Sequence, residues 1–136
     1  MVAITGQAGL DRIHKESHQH LDIVNVFRPI TKWNTTIANP DVVCEVVRKA
    51  FKIAESEKPG ATHIELPEDV AKMESSRQPI AARRVRRPDP DQSALHDAVS
   101  LLKAAKKPLI LAGNGAIRKQ ASGYLREFVS TWHIPI

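Results

Sequence analysis

The sequence predicts an α/β fold in which the end of one parallel-sheet domain is joined by a linker to the start of a second α/β domain. Short apolar runs that stop at glycine or proline alternate with segments of helical periodicity, as in strands connected by helices. Residues 73–91 interrupt this alternation with prolines, serines and arginines. Residues 1–72 and 92–136 are therefore expected to belong to different domains.

Two strands are predicted in the first part. Residues 2–5 are apolar and β-prone and end at Gly6, which is typical of a buried parallel strand and its turn. Residues 62–66 alternate in polarity and end at Pro67, which predicts a second strand.

A helix is predicted between these strands. Asn39 suits the N-cap, Pro40 suits the first helical position, and Asp41 suits the positive end of the helix dipole. Apolar residues follow at helical spacing over 42–54, and the pair at 59–60 (Pro-Gly) ends the helix.

The last 45 residues repeat the α/β rhythm. We expect a helix over 91–105, a buried strand over 108–112, a second helix over 116–132 and the start of a strand over 133–136. The apolar side of the first of these helices comprises Leu95, Ala98, Val99, Leu101 and Leu102. Because both ends of the chain fall within predicted strands, we expect it to be a segment of a longer protein.

Composition excludes several classes of protein. With 42% hydrophobic and 26% charged residues in 136, the chain is expected to be globular rather than disordered or fibrous. The longest apolar run, 108–113, is far shorter than the ~20 residues that cross a membrane, and no signal peptide is visible at the start. The single cysteine, Cys44, excludes an intramolecular disulfide and is expected to pack in the core rather than to act as a nucleophile. These features predict a cytoplasmic protein.

The net charge of +5 permits nucleic-acid binding without establishing it. Four arginines lie within residues 83–87, but no aromatic residue interleaves with them to stack on bases. We expect this run to be a solvated linker. Nucleic-acid binding is the alternative, with an affinity that would fall steeply with salt.

A histidine-rich segment at 14–20 is the densest polar cluster. His14 and His18 have the i, i+4 spacing of metal ligands on a helix, but Lys15 stands where the zinc-protease motif requires glutamate. A solvated turn is the simpler interpretation. The segment follows a predicted strand that ends at Gly6 and Gln7, and ligands of open α/β sheets collect at the carboxyl ends of strands.

The turn Gly113-Asn114-Gly115 follows one predicted strand and opens a helix, an arrangement in which backbone amides can meet a phosphate. Arg118 stands where the dinucleotide-binding fingerprint requires glycine or alanine. A tight turn without a ligand explains the glycines equally well.

Five stretches of the sequence together resemble one family. They are 2–7 (VAITGQ), 15–22 (KESHQHLD), 27–34 (FRPITKWN), 60–69 (GATHIELPED) and 107–116 (KPLILAGNGA). In this combination and order they are similar to the thiamine-diphosphate-dependent acetolactate synthases. The biosynthetic, FAD-containing members usually have phenylalanine at the position of His18, so the pair His18-Gln19 is more similar to the catabolic, FAD-free type.

The resemblance implies a domain arrangement. Residues 1–72 correspond to the C-terminal part of the pyrimidine-binding domain, 73–91 to a linker, and 92–136 to the N-terminal part of the central domain. It also implies a homodimer or homotetramer that binds neither nucleic acid nor a membrane.

The resemblance further implies an activity and a set of site residues. Two pyruvates would form 2-acetolactate and CO₂ through an enamine carried by thiamine diphosphate, with Mg²⁺ as the second cofactor. His18 and Gln19 would be catalytic and donate hydrogen bonds to the pyruvate carboxylate or to an oxygen of the intermediate, and Gln7 would help to shape the same cleft. Gly113 and Gly115 match a turn that contacts FAD in the FAD-containing members, a role that applies here only if FAD is present.

Two motifs of the family do not occur within these 136 residues: the glutamate that activates the cofactor, and the Gly-Asp-Gly motif that binds Mg²⁺ and the diphosphate. No metal ligand is therefore assigned, and the 136-residue chain alone is predicted to be inactive. The alternatives are another thiamine-diphosphate 2-oxoacid decarboxylase or carboligase, and a non-catalytic stand-alone binding protein.

Overall fold

A computed structural model describes residues 1–16, 18, 20–82 and 88–136. It divides the chain into two compact units, Met1–Arg87 and Pro88–Ile136, at a point within the predicted linker. The arginine run at 83–87 lies outside the described residues, so its interpretation as a solvated linker stays a prediction.

The first unit is built on a three-stranded parallel sheet. Its strands are β1 (Val2–Gln7), β2 (Trp33–Thr36) and β3 (Thr62–Pro67), in the order β1-β3-β2. The strands predicted at 2–5 and 62–66 are confirmed as β1 and β3. β2 was not predicted. Because β3 is the central strand, its side chains are covered by elements that follow the edge strands.

One face of this sheet carries the apolar core. Helix α2 (Val43–Glu55) packs on it, and the fully buried core residues are Ile37, Ala50, Ile64 and Val70. The helix begins slightly later than predicted, because residues 40–42 form a 3₁₀ turn. The Asn39 side chain accepts a hydrogen bond from the Asp41 backbone amide at 2.8 Å, as predicted for a cap.

The opposite face of the sheet is polar and is partly covered by α1 (Ile23–Phe27). The side chains of Thr5, Gln7, His63 and Glu65 interact there with one another or with α1 and the segment before it. A short helix, α3 (Glu68–Ala71), follows directly from β3. The first unit thus has an apolar side that supplies stability and a polar side next to the strand ends.

The second unit contains α4 (Gln92–Ala104) and α5 (Lys119–Trp132). The prediction of α4 is confirmed, with Asp91 accepting a hydrogen bond from the Ala94 amide at 3.0 Å. The predicted α5 was too long by one turn, because residues 114–117 form a 3₁₀ helix instead.

The buried strand predicted over 108–112 does not form in the described residues. Leu109 is 74% exposed and Leu111 is 97% exposed. The Ile110 amide donates a hydrogen bond to the Pro135 carbonyl at 3.0 Å, but this contact does not make a strand. An apolar run becomes a strand only where a neighbouring strand satisfies its backbone groups, and the described part of the second unit supplies none.

The apolar side predicted for α4 is also exposed rather than buried, since Leu101 is 74% and Leu95 46% exposed. The physical reason is the same: no sheet lies beneath the helix within the described part of this unit. None of the helices that the structure describes is long and apolar enough to cross a membrane.

Candidate functional site

Gln7 ends β1 at the carboxyl edge of the sheet, and its side-chain amide makes three hydrogen bonds inside the protein. Its Nε2 donates to the Leu21 carbonyl at 2.5 Å and to Glu65 Oε1 at 3.0 Å, while its Oε1 accepts from the Ala8 amide at 3.0 Å. The residue is 9% exposed. Gln7 therefore connects the end of β1 to β3 and to the backbone at Leu21, and both N–H groups of its amide have partners within the protein.

Glu65 joins all three strands through a buried carboxylate. Its Oε1 accepts from Gln7 at the end of β1, and its Oε2 accepts from Thr36 Oγ1 at the end of β2 at 2.6 Å. Its backbone carbonyl also accepts from the Ile37 amide at 2.9 Å. Neither Glu65 nor Thr36 was predicted to be a site residue. The only hint in the sequence was that Glu65 lies between two apolar residues of a predicted strand, Ile64 and Leu66.

The segment between β1 and α1, residues 8–22, is also attached near its beginning, to α3. The Leu10 amide donates to Asp69 Oδ2 at 2.8 Å. A Cβ added at Gly9 would lie 3.2 Å from Asp69 Cγ and 2.9 Å from Asp11 Oδ1, so a larger residue there would require these side chains to shift. This segment, called the site loop below, carries the histidine-rich cluster.

The site loop does not form the helix that a pair of metal ligands at i, i+4 would need. His14 has φ of 69° and Glu16 has φ of 47°, both in the left-handed region that interrupts a helix. His14 instead lies near His20, with ring centroids 6.1 Å apart. His18 is exposed, and Gln19 lies outside the described residues. In the part of the chain that the structure covers, no three His, Cys, Asp or Glu side chains are grouped to hold a metal ion.

His63 is completely buried on the polar face of β3, against Phe27 of α1. Its Nε2 lies 2.9 Å from Thr5 Oγ1, whereas its Nδ1 has no hydrogen-bond partner among the described residues. Burial lowers the pKa of His63, and the nearby charge of Glu65 opposes that shift only in part. We infer a neutral ring with its proton on Nε2, because an unpaired N–H at Nδ1 would cost more than an unpaired lone pair.

The glycine turn of the second unit is not forced to contain glycine by its own backbone. Gly113 has φ of −84°, and the Ala116 amide donates to its carbonyl at 2.9 Å. A Cβ at Gly113 or Gly115 would meet no atom within 4 Å. The assignment of these glycines to FAD binding stays a prediction.

The chain matches known proteins over its full length. Residues 95–136 match the central domain of thiamine pyrophosphate enzymes. Over 100% of the chain it is 34% identical to a probable acetolactate synthase large subunit of Methanococcus aeolicus, covering 24% of that protein. It is also 35% identical to an acetolactate synthase of Mycobacterium bovis and 32% identical to a glyoxylate carboligase of Escherichia coli, covering 23% of each.

The central-domain match and the relatives along the whole chain support a fragment of a thiamine-diphosphate-dependent enzyme, and the parallel α/β sheet is consistent with it. Among such enzymes the chain is similar to acetolactate synthases and to a glyoxylate carboligase. It spans about a quarter of the length of the curated relatives it matches.

Proposed function

We propose that this chain is part of a carboligase that joins two pyruvates into 2-acetolactate with release of CO₂. The observation that carries the proposal is the identity of 34–35% to acetolactate synthases along the whole chain. The geometry supports it, because the site loop is attached at the carboxyl edge of a parallel sheet, where α/β proteins bind their ligands.

The proposal assigns substrate contacts to His18 and Gln19. An imidazole N–H and a side-chain amide can each donate a hydrogen bond to a carboxylate or to a carbonyl oxygen that gains charge during reaction. The exposed side chain of His18 suits this role. Gln7 is buried and internally paired, so its contribution to the cleft is to fix the site loop.

Thiamine diphosphate, when bound, would supply the stabilisation of negative charge on the former carbonyl carbon of the 2-oxoacid. The described residues of this chain do not by themselves form a site for its diphosphate and Mg²⁺. Gln7, Glu65 and Thr36 pair with one another, and no metal-binding cluster is found in the ranges that the structure describes. We propose that other parts of a longer, homodimeric or homotetrameric cytoplasmic protein hold both cofactors.

A second candidate reaction is the condensation of glyoxylate. The glyoxylate carboligase of Escherichia coli is 32% identical to the whole chain, nearly as similar as the acetolactate synthases. Both candidates use a short 2-oxoacid, so the same hydrogen-bond donors of the site loop would bind the carboxylate in either case.

Product analysis separates the two candidates. The natural-length protein would be incubated with thiamine diphosphate, Mg²⁺ and either pyruvate or glyoxylate. We expect 2-acetolactate from pyruvate at the higher kcat/KM. Turnover of glyoxylate alone would establish the second candidate, and consumption of neither acid would contradict the proposed function.

A further inference from the structure

We propose that Gln7, Glu65 and Asp69 are positioning residues that hold both ends of the site loop and thereby place His18. The inference rests on the proposed function only in that the loop is taken to contact the substrate. The attachment of the loop itself follows from the hydrogen bonds of the described residues.

The closing end of the loop is held by Gln7. Its Nε2 donates to the Leu21 carbonyl at 2.5 Å, two residues after Gln19. The amide has one orientation that satisfies its surroundings, since Glu65 Oε1 accepts its second N–H and the Ala8 amide donates to its Oε1. A flipped amide would place its oxygen against the Glu65 carboxylate and the Leu21 carbonyl, both of which only accept. Glu65 therefore fixes Gln7, and Gln7 fixes Leu21.

The opening end of the loop is held by Asp69. Its Oδ2 accepts from the Leu10 amide at 2.8 Å, and its Oδ1 accepts from the Val70 amide at 2.9 Å. Both carboxylate oxygens are thus engaged, one with the loop and one with the helix that carries the residue. Gly9 also lies close to this side chain, since a Cβ added there would be 3.2 Å from Asp69 Cγ.

Glu65 and Asp69 lie four residues apart, on the central strand β3 and on α3 directly after it. A single short segment therefore holds both ends of the site loop, one through the buried strand β3 and one through α3. Fixing both ends reduces the conformations open to the residues between them, which is how a supporting shell holds a reactive loop in place.

The test is hydrogen exchange followed by mass spectrometry on the natural-length protein. Peptides from 8–22 report on the loop, and peptides from α2 report on the unit as a whole. In Gln7→Met, which keeps the shape and loses the amide, we expect exchange in 8–22 to rise about tenfold and exchange in α2 to stay unchanged. The same selective increase is expected for Glu65→Leu.

Two matched variants distinguish positioning from general stability. Glu65→Gln keeps an acceptor for Gln7 and should restore slow exchange in 8–22. Thr36→Val removes the partner of the other carboxylate oxygen and should leave 8–22 as protected as in the parent. Because Glu65→Leu can fail to fold, Asp69→Ala and its conservative partner Asp69→Asn give a parallel pair at the opening end.

Selective exchange in 8–22, rescued by Glu65→Gln, supports the proposed positioning role. Equal increases in 8–22 and α2, or no increase in Gln7→Met, would overturn it. An absence of carboligase activity in the parent protein would refute the proposed function and leave the exchange result intact, so the two failures are distinguishable.

Discussion

The ring of His63 lies face to face with the ring of Phe27, with centroids 4.1 Å apart and planes inclined by 13°. Phe27 ends α1 and His63 lies near the start of the central strand β3, so this contact attaches the helix to the polar face of the sheet. Asn34 adds a second attachment, since its side-chain amide donates to the Val24 carbonyl. The stacked pair of Phe27 and His63 therefore covers part of the polar face of the sheet.

The buried position of His63 predicts a pH dependence of stability. Its pKa in the folded protein is lowered by desolvation, so the unfolded chain takes up a proton more readily. The stabilisation is complete above the ordinary histidine pKa of about 6.5 and is lost as the pH falls through the lower folded pKa. Urea unfolding of the protein across this pH range measures the effect.

The matched variants for this prediction are His63→Phe and His96→Gln. The first keeps an aromatic ring and cannot titrate, so the acid-side decline that His63 causes should disappear. The second removes an exposed histidine of α4 and should leave that decline in place. A decline unchanged in His63→Phe would show that another group causes it.

Two isoleucines at paired positions of β1 and β3 should differ in how much stability the protein loses when each is replaced by alanine. Ile64 is 1% exposed in the core, whereas Ile4, its partner on β1, is 63% exposed. Ile64→Ala should lower the free energy of unfolding by about 2–5 kcal/mol, because it leaves a cavity under α2. Ile4→Ala should cost less than about 1 kcal/mol. Equal losses in urea unfolding would contradict the packing described for β3.

His18 and His14 give a matched pair within the site loop. If His18 donates a hydrogen bond to the substrate carboxylate, His18→Ala should reduce kcat/KM for the 2-oxoacid by about ten- to a hundredfold. His14→Ala removes a neighbouring exposed histidine and should leave kcat/KM close to the parent value. Steady-state kinetics with both variants checks this, and an equal effect of the two would remove the specific role of His18.

The residue at position 18 also predicts the flavin content. Since His18 stands where FAD-containing relatives usually have phenylalanine, we expect the protein to purify without the visible absorbance of a flavin. Bound flavin at one equivalent per chain would contradict this. Gly113→Ala would then test the glycine turn, because the added Cβ meets nothing within this chain and would be felt only by a ligand or another segment.

The parts of the fold that were predictable are those with strong local signals. Residues 2–5, 62–66 and 92–104 form the expected elements because an apolar period and its turn or cap agree. β2 was missed because Trp33–Thr36 has no apolar run and becomes a strand only by pairing with β3. The strand predicted at 108–112 is the opposite case. This run has the sequence pattern of a strand but has no neighbouring strand to pair with in the described residues.

The contacts of the candidate site were less predictable than the strands that carry it, and the roles of its residues toward a substrate stay predictions. Gln7 was expected at the end of β1, where it lies, but nothing local showed that its amide donates to Leu21 and Glu65. Glu65 was predicted only as part of the strand at 62–66, and Asp69 had no predicted role of its own. Their roles depend on contacts with residues 10 and 7, which are 58 or more positions away in the chain.

Removal and restoration of thiamine diphosphate is the most direct test of the central claim that these residues serve a thiamine-diphosphate carboligase. CO₂ release from pyruvate would be followed in the natural-length protein before and after the cofactor and Mg²⁺ are stripped and added back. We predict that release and 2-acetolactate formation stop without the cofactor and return with it, and that residues 1–136 alone show neither. Turnover that persists in the stripped protein, or no turnover of any 2-oxoacid by the folded and reloaded protein, would contradict the account.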